Sequence, residues 1–384
     1  MIIETKRLIL REYSYDDYND LLEIVCDSET MKYYPKAFDE RGARKWLVWS
    51  ITNYSKYGFG LWAIILKETN QFIGDCGLTF QDIEGEKLPE IGYHINKKHW
   101  RKGYAKEAAR AVRDWAFTNT DFLELFSYMN KKNIASFSTA ASIGMRKIKE
   151  YNDGEEDLLV YSIKKSEWLD LKKRKQTYKN VYFINGNAYA GKSTMAKLLA
   201  ERLDGIHCEE NYQDRLIDSL DKLEFPALTY TRDLKDFRHF IRRTPDEYER
   251  WISESKRECI IIEFKILDEL VKENKPIFVD TNITPEILHE ISDEDHVLIM
   301  LADPMISVTR FFERPDREKQ FLYKLLLEEN NPEEAMNNFR ECLKRINNER
   351  TYNEFFNCGF NVLLRDDTRT IDETFELLKK YFKL

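Results

Sequence analysis

Two short stretches carry residue types at spacings that suit one chemistry, the holding of phosphate. The first is Gly186-Asn187-Ala188-Tyr189-Ala190-Gly191-Lys192-Ser193-Thr194, which satisfies G-x-x-x-x-G-K-[ST] in full. Glycines let the backbone wrap so that successive N–H groups face an anion. A lysine then reaches the terminal phosphates and a hydroxyl coordinates magnesium. Apolar Val181–Asn185 precedes the loop and helical Met195–Leu203 follows it, the strand–loop–helix setting that the motif needs. The second stretch is Trp100-Arg101-Lys102-Gly103-Tyr104-Ala105, between strand-like Glu90–Ile95 and a helical pattern from Ala105 to Thr118. The unpaired first-turn amides and dipole of that helix suit a pyrophosphate. Gly103 allows close backbone approach and Ala105 keeps bulk away.

Other residues take their meaning from position. Asp280 ends the apolar run Lys275–Val279, at what would be the C-terminal edge of a parallel sheet. There a carboxylate holds hydrated magnesium, although a helix cap is the ordinary alternative. Arg310, Arg314 and Arg317 converge downstream of the fourth apolar strand, at a spacing that equally fits a solvated helix face. Arg242-Arg243 could hold an anion.

These residues need elements to position them, and the chain supplies two sets. Residues 1–165 are electrically neutral. They run as a strand at Arg7–Arg11, helices at Asp16–Cys26 and Glu40–Tyr54, and strands at Leu61–Lys67, Phe72–Phe80 and Glu90–Ile95. The Ala105–Thr118 helix, a short strand, a helix near Ala135–Ile143 and two last strands complete an α+β order. Residues 166–179 carry a net charge of +3 and read as a basic linker or linking helix. Residues 180–384 carry −11, and their apolar strands (Val181–Asn185, Gly205–Cys208, Pro276–Asp280, His296–Ala302, Phe360–Leu364) alternate with helical sequence. That order implies an α/β domain with a doubly wound parallel sheet.

The whole chain, at −8, lacks the basic surface that nucleic-acid binding needs, so no nucleic-acid partner is expected. No apolar run is long enough to span a bilayer, so no membrane partner is expected either. Six scattered cysteines without C-x-x-C argue against a disulfide framework or a zinc site, and a cytoplasmic location follows as the default.

The ordered set TKRLILRE, GLWAIILKETNQFIGDCGL, EIGYHINKKHWRKGYAKEA and NKKNIASFSTAASIGMRK resembles the GNAT acetyltransferases, in the branch that includes ribosomal-protein N-terminal acetyltransferases. The likeness covers about residues 1–165 and implies a mixed, splayed sheet with helices. It implies that Arg101, Lys102, Gly103, Tyr104 and Ala105 bind the pyrophosphate of acetyl-CoA, with Trp100 where other branches have Gln or Arg. Asn133 and Ser136 stand at the N-x-x-S element along the coenzyme arm. Backbone groups near Tyr93 and Ile95 would bind pantetheine and polarise the thioester. The amine, from a small molecule or a peptide N-terminus, needs a base. Glu90 stands where some members carry a catalytic glutamate, and an ordinary carboxylate at a strand end is the competing reading. Ser136 or Tyr151 would handle the thiolate, and His94 and His99 read equally as surface residues.

Residues 180–384 resemble the small P-loop kinases of nucleotides, nucleosides and other small molecules. The resemblance implies ATP and Mg as ligands of Gly186–Thr194, with Ser193 and Asp280 on the metal. Glu210 or Asp214 would activate an acceptor hydroxyl on a small molecule or nucleotide. Arg310 and Arg314 would form a lid over the phosphates. The expected whole is a bifunctional transferase. A regulatory ATP-binding module without kinase activity is the alternative.

Overall fold

The computed structural model describes residues 2–313 and 317–384, which divide into two units, Met1–Leu171 and Lys172–Leu384. Arg314 lies outside the described residues.

In the first unit, strands β1 (Ile2–Glu4), β2 (Leu8–Arg11), β3 (Leu61–Leu66), β4 (Gln71–Ile83), β5 (Glu86–Ile95), β6 (Glu124–Asn130), β7 (Arg146–Asn152) and β8 (Asp157–Lys164) form one sheet in the order β1-β2-β3-β4-β5-β6-β8-β7. The run Leu61–Leu66 is apolar throughout because both faces of β3 are covered. Trp62, Ile64 and Leu66 pack with Ala108, Val112 and Phe117. Leu61, Ala63 and Ile65 pack with Leu21, Ile24 and Leu47. Those partners come from helices α1 (Tyr18–Val25) and α2 (Glu40–Tyr57) on one face, and from α3 (Tyr104–Asn119), beside α4 (Ile134–Ser142), on the other. Buried Trp62 meets Trp115 edge-on at 5.0 Å, a core role.

Neighbouring strands are antiparallel except β5 and β6, which run parallel and, among the described residues, register only at Glu90 and Phe126. Beyond that point β5 and β6 have no further registered pair among the described residues, and this unpaired stretch forms a V in the sheet's hydrogen bonding. The β4–β5 hairpin is longer than the apolar pattern indicates. Its two-residue turn, Glu84-Gly85, takes left-handed φ values of 54° and 86°, and the Gly85 N–H donates to Asp82 at 2.8 Å. Such a turn matches the twist of its strands, so pairing continues through the charged residues to Ile83 and Glu86.

The segment read as a basic linker is helix α5, Lys165–Thr177, which has no buried residue and contains the division between the units. In the second unit β9 (Val181–Gly186), β10 (Ile206–Cys208), β11 (Ile277–Asp280), β12 (Val297–Leu301) and β13 (Asn361–Leu364) form a wholly parallel sheet, ordered β10-β11-β9-β12-β13. From central β9 the chain moves outward to β10, returns to β11, then crosses to β12 on the far side. The order reverses at β9, and helix α6 (Lys192–Arg202) begins beyond its carboxyl end. Among the described residues no helix is long and apolar enough to cross a membrane.

Candidate functional site

The loop Trp100–Ala105 joins the end of β5 to α3. Gly103, at φ 78°, is the N-cap of α3 and has no side chain with which to cap it. Two residues earlier Arg101 is also left-handed, at φ 63°. A helix start leaves its first amides without intrahelical partners, and these point outward over exposed Arg101, Lys102 and Gly103. The loop is braced from both sides. The Trp100 indole donates to the Ile95 carbonyl at 2.7 Å. Arg7 donates to the Lys102 carbonyl at 2.9 Å, pairs with Glu107 at 2.6 Å and stacks over Tyr104 at 4.6 Å. Ala105 is partly buried against the core. His99, whose pKa is depressed by burial and by Lys102, lies near the Tyr104 ring.

Above this loop lies the V. The Asn96 N–H donates across to Ile73 on β4, so strand alternation turns the backbone groups of Tyr93 and Ile95 toward β6. The Ile91 carbonyl on that edge accepts from Ser127 at 2.8 Å, and the Ile95 carbonyl accepts from Trp100. Tyr93 therefore presents its N–H and C=O to the open part of the V. Its side chain turns to α4, where the hydroxyl donates to the Ser136 carbonyl at 2.7 Å and lies 3.2 Å from Ser136 Oγ. Asn133 caps that helix by accepting from the Ser136 N–H at 3.1 Å.

Glu90 is mid-strand and 7% exposed, so the reading of a surface carboxylate at a strand end is corrected. The long hairpin carries it inward, to the point where β5 and β6 part. Burial pushes its pKa up to about 7, against the lowering effects of the Tyr128 N–H and His94. His94 is likewise no surface residue, its side chain being 14% exposed. Its Nδ1 lies 2.7 Å from Asp75 Oδ1, on the register-paired residue of β4, and its Nε2 lies 2.7 Å from the Tyr34 hydroxyl. Burial disfavours the charged ring, but Asp75 outweighs it and the His94 pKa is raised. Asp75 and Tyr34 escaped the sequence reading. Asp75 had a signal, a lone acid inside an apolar strand. Tyr34, in the irregular stretch between α1 and α2, had none.

In the second unit the phosphate-type loop also starts its helix with a left-handed glycine, Gly191 at φ 92°, and Tyr189 is left-handed at φ 66°. A Cβ on Gly186 would collide with the Met300 carbonyl of β12. The Asn187 side chain donates to the Ala302 carbonyl at 2.6 Å and accepts the Ala302 N–H at 2.8 Å. Lys192 donates to the Asn187 carbonyl at 3.2 Å and lies 3.7 Å from Asp280. Ser193 Oγ donates to Asp280 at 2.6 Å. Burial raises the Asp280 pKa, while Lys192 and Ser193 oppose the rise.

These groups face a cavity of about 340 Å³ lined by Ala188, Tyr189, Gly191, Lys192, Ser193, Thr194, Glu210 and Arg365. Ala190 is buried beneath the loop. Arg365, just past β13, is a residue the motifs do not reveal. It donates to the Tyr189 carbonyl at 2.6 Å from the same sheet edge. Asp214 lies outside that lining and has a pKa pushed up to about 6 by burial and by Glu318. The Arg310 guanidinium pairs with Glu313, and its carbonyl accepts from Tyr189 at 2.6 Å. A second cavity, of about 570 Å³, is walled by Tyr230, Arg242, Arg243, Arg250 and Trp251. One terminal nitrogen of Arg243 is buried there without a hydrogen-bond partner. Among the described residues no group of three or more His, Cys, Asp or Glu could hold a metal alone.

A splayed mixed sheet, backbone donors at the opening and a glycine-started helix below it define an acyl-group transferase. The family description "Acetyltransferase (GNAT) domain" matches residues 7–146. The chain is 37% identical over 161 residues to the uncharacterized protein YkkB of Bacillus subtilis (strain 168), covering 42% of this chain and 94% of that one. It is 31% identical over 176 residues to the uncharacterized N-acetyltransferase YnaD of the same organism, covering 44% and 99%. A solved acetyltransferase (GNAT family) from Bacillus anthracis is 28% identical, covers 44% of this chain and all of its own, and has a TM-score of 0.38. The chain belongs to the GNAT acetyltransferases: its first unit is an acetyl-transferring domain whose donor is acetyl-CoA.

Proposed function

We propose that the first unit acetylates a primary amine, on a small molecule or a peptide N-terminus. The observation that carries this reading is Glu90, buried where β5 and β6 part, with a pKa near 7 and three residues before Tyr93 on the same strand. Such a carboxylate is half ionised at neutral pH and can take a proton from nitrogen, directly or through water. The Tyr93 N–H is a donor for the thioester oxygen, and the amides of Tyr104 and Ala105 take the coenzyme's pyrophosphate. Arg101 and Lys102 add positive charge, Asn133 holds the start of α4 along the coenzyme arm, and Ser136 is the proton source for the thiolate. Calorimetry with acetyl-CoA, followed by amine-dependent thiol release, tests this; failure to bind acetyl-CoA ends it.

For the second unit we infer an ATP-dependent phosphorylation of a small molecule or nucleotide. The supporting observation is the triad of Lys192, Ser193 and Asp280 at the carboxyl end of β9, where the strand order reverses. A hydroxyl and a carboxylate 2.6 Å apart are a donor set that fits hydrated Mg, and the Gly186–Thr194 amides fit phosphate. Mg-ATP would supply the γ-phosphoryl group there. Glu210, on the same cavity, is the candidate base for an acceptor hydroxyl. The long helix Pro245–Leu270 carries Arg250 and Trp251 of the second cavity, and about 7 Å further along it Lys256, whose pKa is lowered by burial and by Lys192. That link favours an anionic acceptor beside Arg243, since Arg242 is already paired with Glu329 at 2.8 Å. The engagement of Arg310 with Glu313 instead favours the alternative, an ATP-binding module that regulates acetyl transfer. Incubation with Mg-ATP and a broad acceptor panel decides: ATP binding without hydrolysis or transfer removes the kinase reading.

A further inference from the structure

We propose that Tyr34, His94 and Asp75 form a proton relay serving acetyl transfer. The Tyr34 hydroxyl meets the substrate's ammonium ion, and His94, oriented by Asp75, receives the proton. The proposal rests on the acetyl-transfer reading of the first unit.

The direction of the chain follows from its donors. Asp75 is 1% exposed and accepts on Oδ2 from the Trp46 indole at 3.1 Å and the Tyr13 hydroxyl at 2.9 Å. An indole N–H can only donate, so Oδ2 is an acceptor, and we assign the Nδ1 hydrogen to His94, directed at Oδ1. In neutral His94 the lone pair is then on Nε2, and the Tyr34 O–H must donate to it. The order carboxylate, imidazole, hydroxyl has the logic of a nucleophile triad, with a phenol at the outer end.

Tyr34 is placed to meet a visitor. Its hydroxyl sits against His94 and within the field of Glu90, and the residue as a whole keeps 38% of its surface exposed. Trp46 and Phe38 hold the ring at 6.4 and 6.2 Å. The titratable groups facing this hydroxyl are Asp75 from β4, Glu90 and His94 from β5, and Tyr128 from β6. Burial and both carboxylates drive the Tyr34 pKa upward, so the group stays a phenol and passes a proton on without storing it.

In the relay an ammonium N–H bond breaks and its proton joins the Tyr34 oxygen while Tyr34's own proton moves to His94 Nε2. The products are a neutral amine, an unchanged phenol and an imidazolium paired with Asp75. The freed lone pair forms the C–N bond at the thioester carbonyl, the C–S bond breaks to thiolate, and the second proton leaving nitrogen goes to Glu90. Two protons depart and two acceptors receive them. Glu90 and Tyr34 touch the substrate in this scheme; His94 and Asp75 act by position.

The test uses two probe amines: ethylamine, an ammonium ion at pH 7, and 2,2,2-trifluoroethylamine, which is already neutral there. Tyr34→Phe should lower kcat for ethylamine about 100-fold, within the usual worth of acid–base assistance, and for trifluoroethylamine by less than about fivefold. Acetyl-CoA affinity by calorimetry should not change. Equal losses for both amines overturn the relay while leaving acetyl transfer intact. A second measurement needs no turnover: nitrogen NMR of the histidine-labelled protein, with His94 assigned by its loss in His94→Gln. The neutral ring should be the Nδ1–H form, and an Nε2–H ring overturns the proposal whether or not either amine reacts. If the wild type does not bind acetyl-CoA at all, the acetyl-transfer reading falls and the relay falls with it.

Discussion

The two units solve one backbone problem in the same way and then surround the solution with different side chains. In each, a strand gives way to a residue at left-handed φ, then one residue, then a left-handed glycine that starts a helix: Arg101 and Gly103 in the first, Tyr189 and Gly191 in the second. Either turn makes a nest of amides for an anion. The residue after the glycine marks the divergence. Tyr104 is buried in the core beneath Arg7, and the nearby acid, Glu107, is spent on Arg7 and Thr5. Lys192 instead points at a carboxylate and a carbonyl, with Ser193 on the same acid. The first nest offers amides and surface charge, enough to hold a pyrophosphate that takes no part in the reaction. The second adds a buried cation and a metal-type donor pair, which suits phosphate that is itself to be transferred. The two loops therefore share a local backbone shape and differ in the side chains behind it, and it is on those side chains that the two proposals diverge.

The sharpest way to break this contrast is Gly103→Glu, which adds a carboxylate in a left-handed position beside the proposed pyrophosphate. Acetyl-CoA affinity should fall more than about 1000-fold by calorimetry, while ATP-induced stabilisation of the second unit is unchanged. Binding like that of wild type would remove the loop from the coenzyme site. Lys192→Ala should weaken ATP binding about 100-fold and leave acetyl transfer within about twofold. An equal fall in acetyl transfer, in a folded protein, would replace two independent enzymes with the regulatory module.

Glu90→Gln should cut kcat for acetyl transfer roughly 10–100-fold with acetyl-CoA affinity intact. The same substitution has a stability signature. The folded-state pKa of Glu90, near 7, lies above its unfolded value, so the folded state binds the extra proton between about pH 4.5 and 7. Its contribution is fully present below that window and is lost as pH rises through 7. Glutamine has no such loss. Glu90→Gln should unfold at higher urea than wild type above pH 7, by up to roughly 3 kcal/mol, and match it below pH 4.5. No gain at high pH would mean the carboxylate is solvated. The mildest test is Arg365→Met, expected to weaken ATP binding about fivefold through the lost support of the Tyr189 carbonyl.

What could be read in the sequence follows from the same contrast. Both glycine loops were legible because their turns demand glycine at fixed places, and the three central parallel strands because burial on two faces leaves unbroken apolar runs such as Val297–Leu301. Asp280 was legible as the last residue of such a run. The Asp75–His94 pair was not, because it depends on a register set by the turn at Glu84-Gly85, eight residues and more from either partner. The burial of Glu90 was hidden for the same reason: the charged residues Glu86 and Lys87 masked the first part of its strand and left Glu90 at an apparent strand end. Arg365 and Tyr34 lie outside regular elements and reach their sites only through tertiary placement.

The Asn187 side chain has a consequence for entropy. By donating to and accepting from one peptide group at Ala302, its amide closes the kind of two-bond ring that joins paired strands. That ring, with the Arg365 and Arg310 hydrogen bonds to Tyr189, ties the loop of residues 186–191 to the rest of the unit. Ordering six residues costs on the order of 6–12 kcal/mol, and here folding has already met that cost before any anion arrives. An anion entering this loop need only exchange its water for amides, so its binding should show little of the unfavourable entropy that accompanies the ordering of a flexible loop.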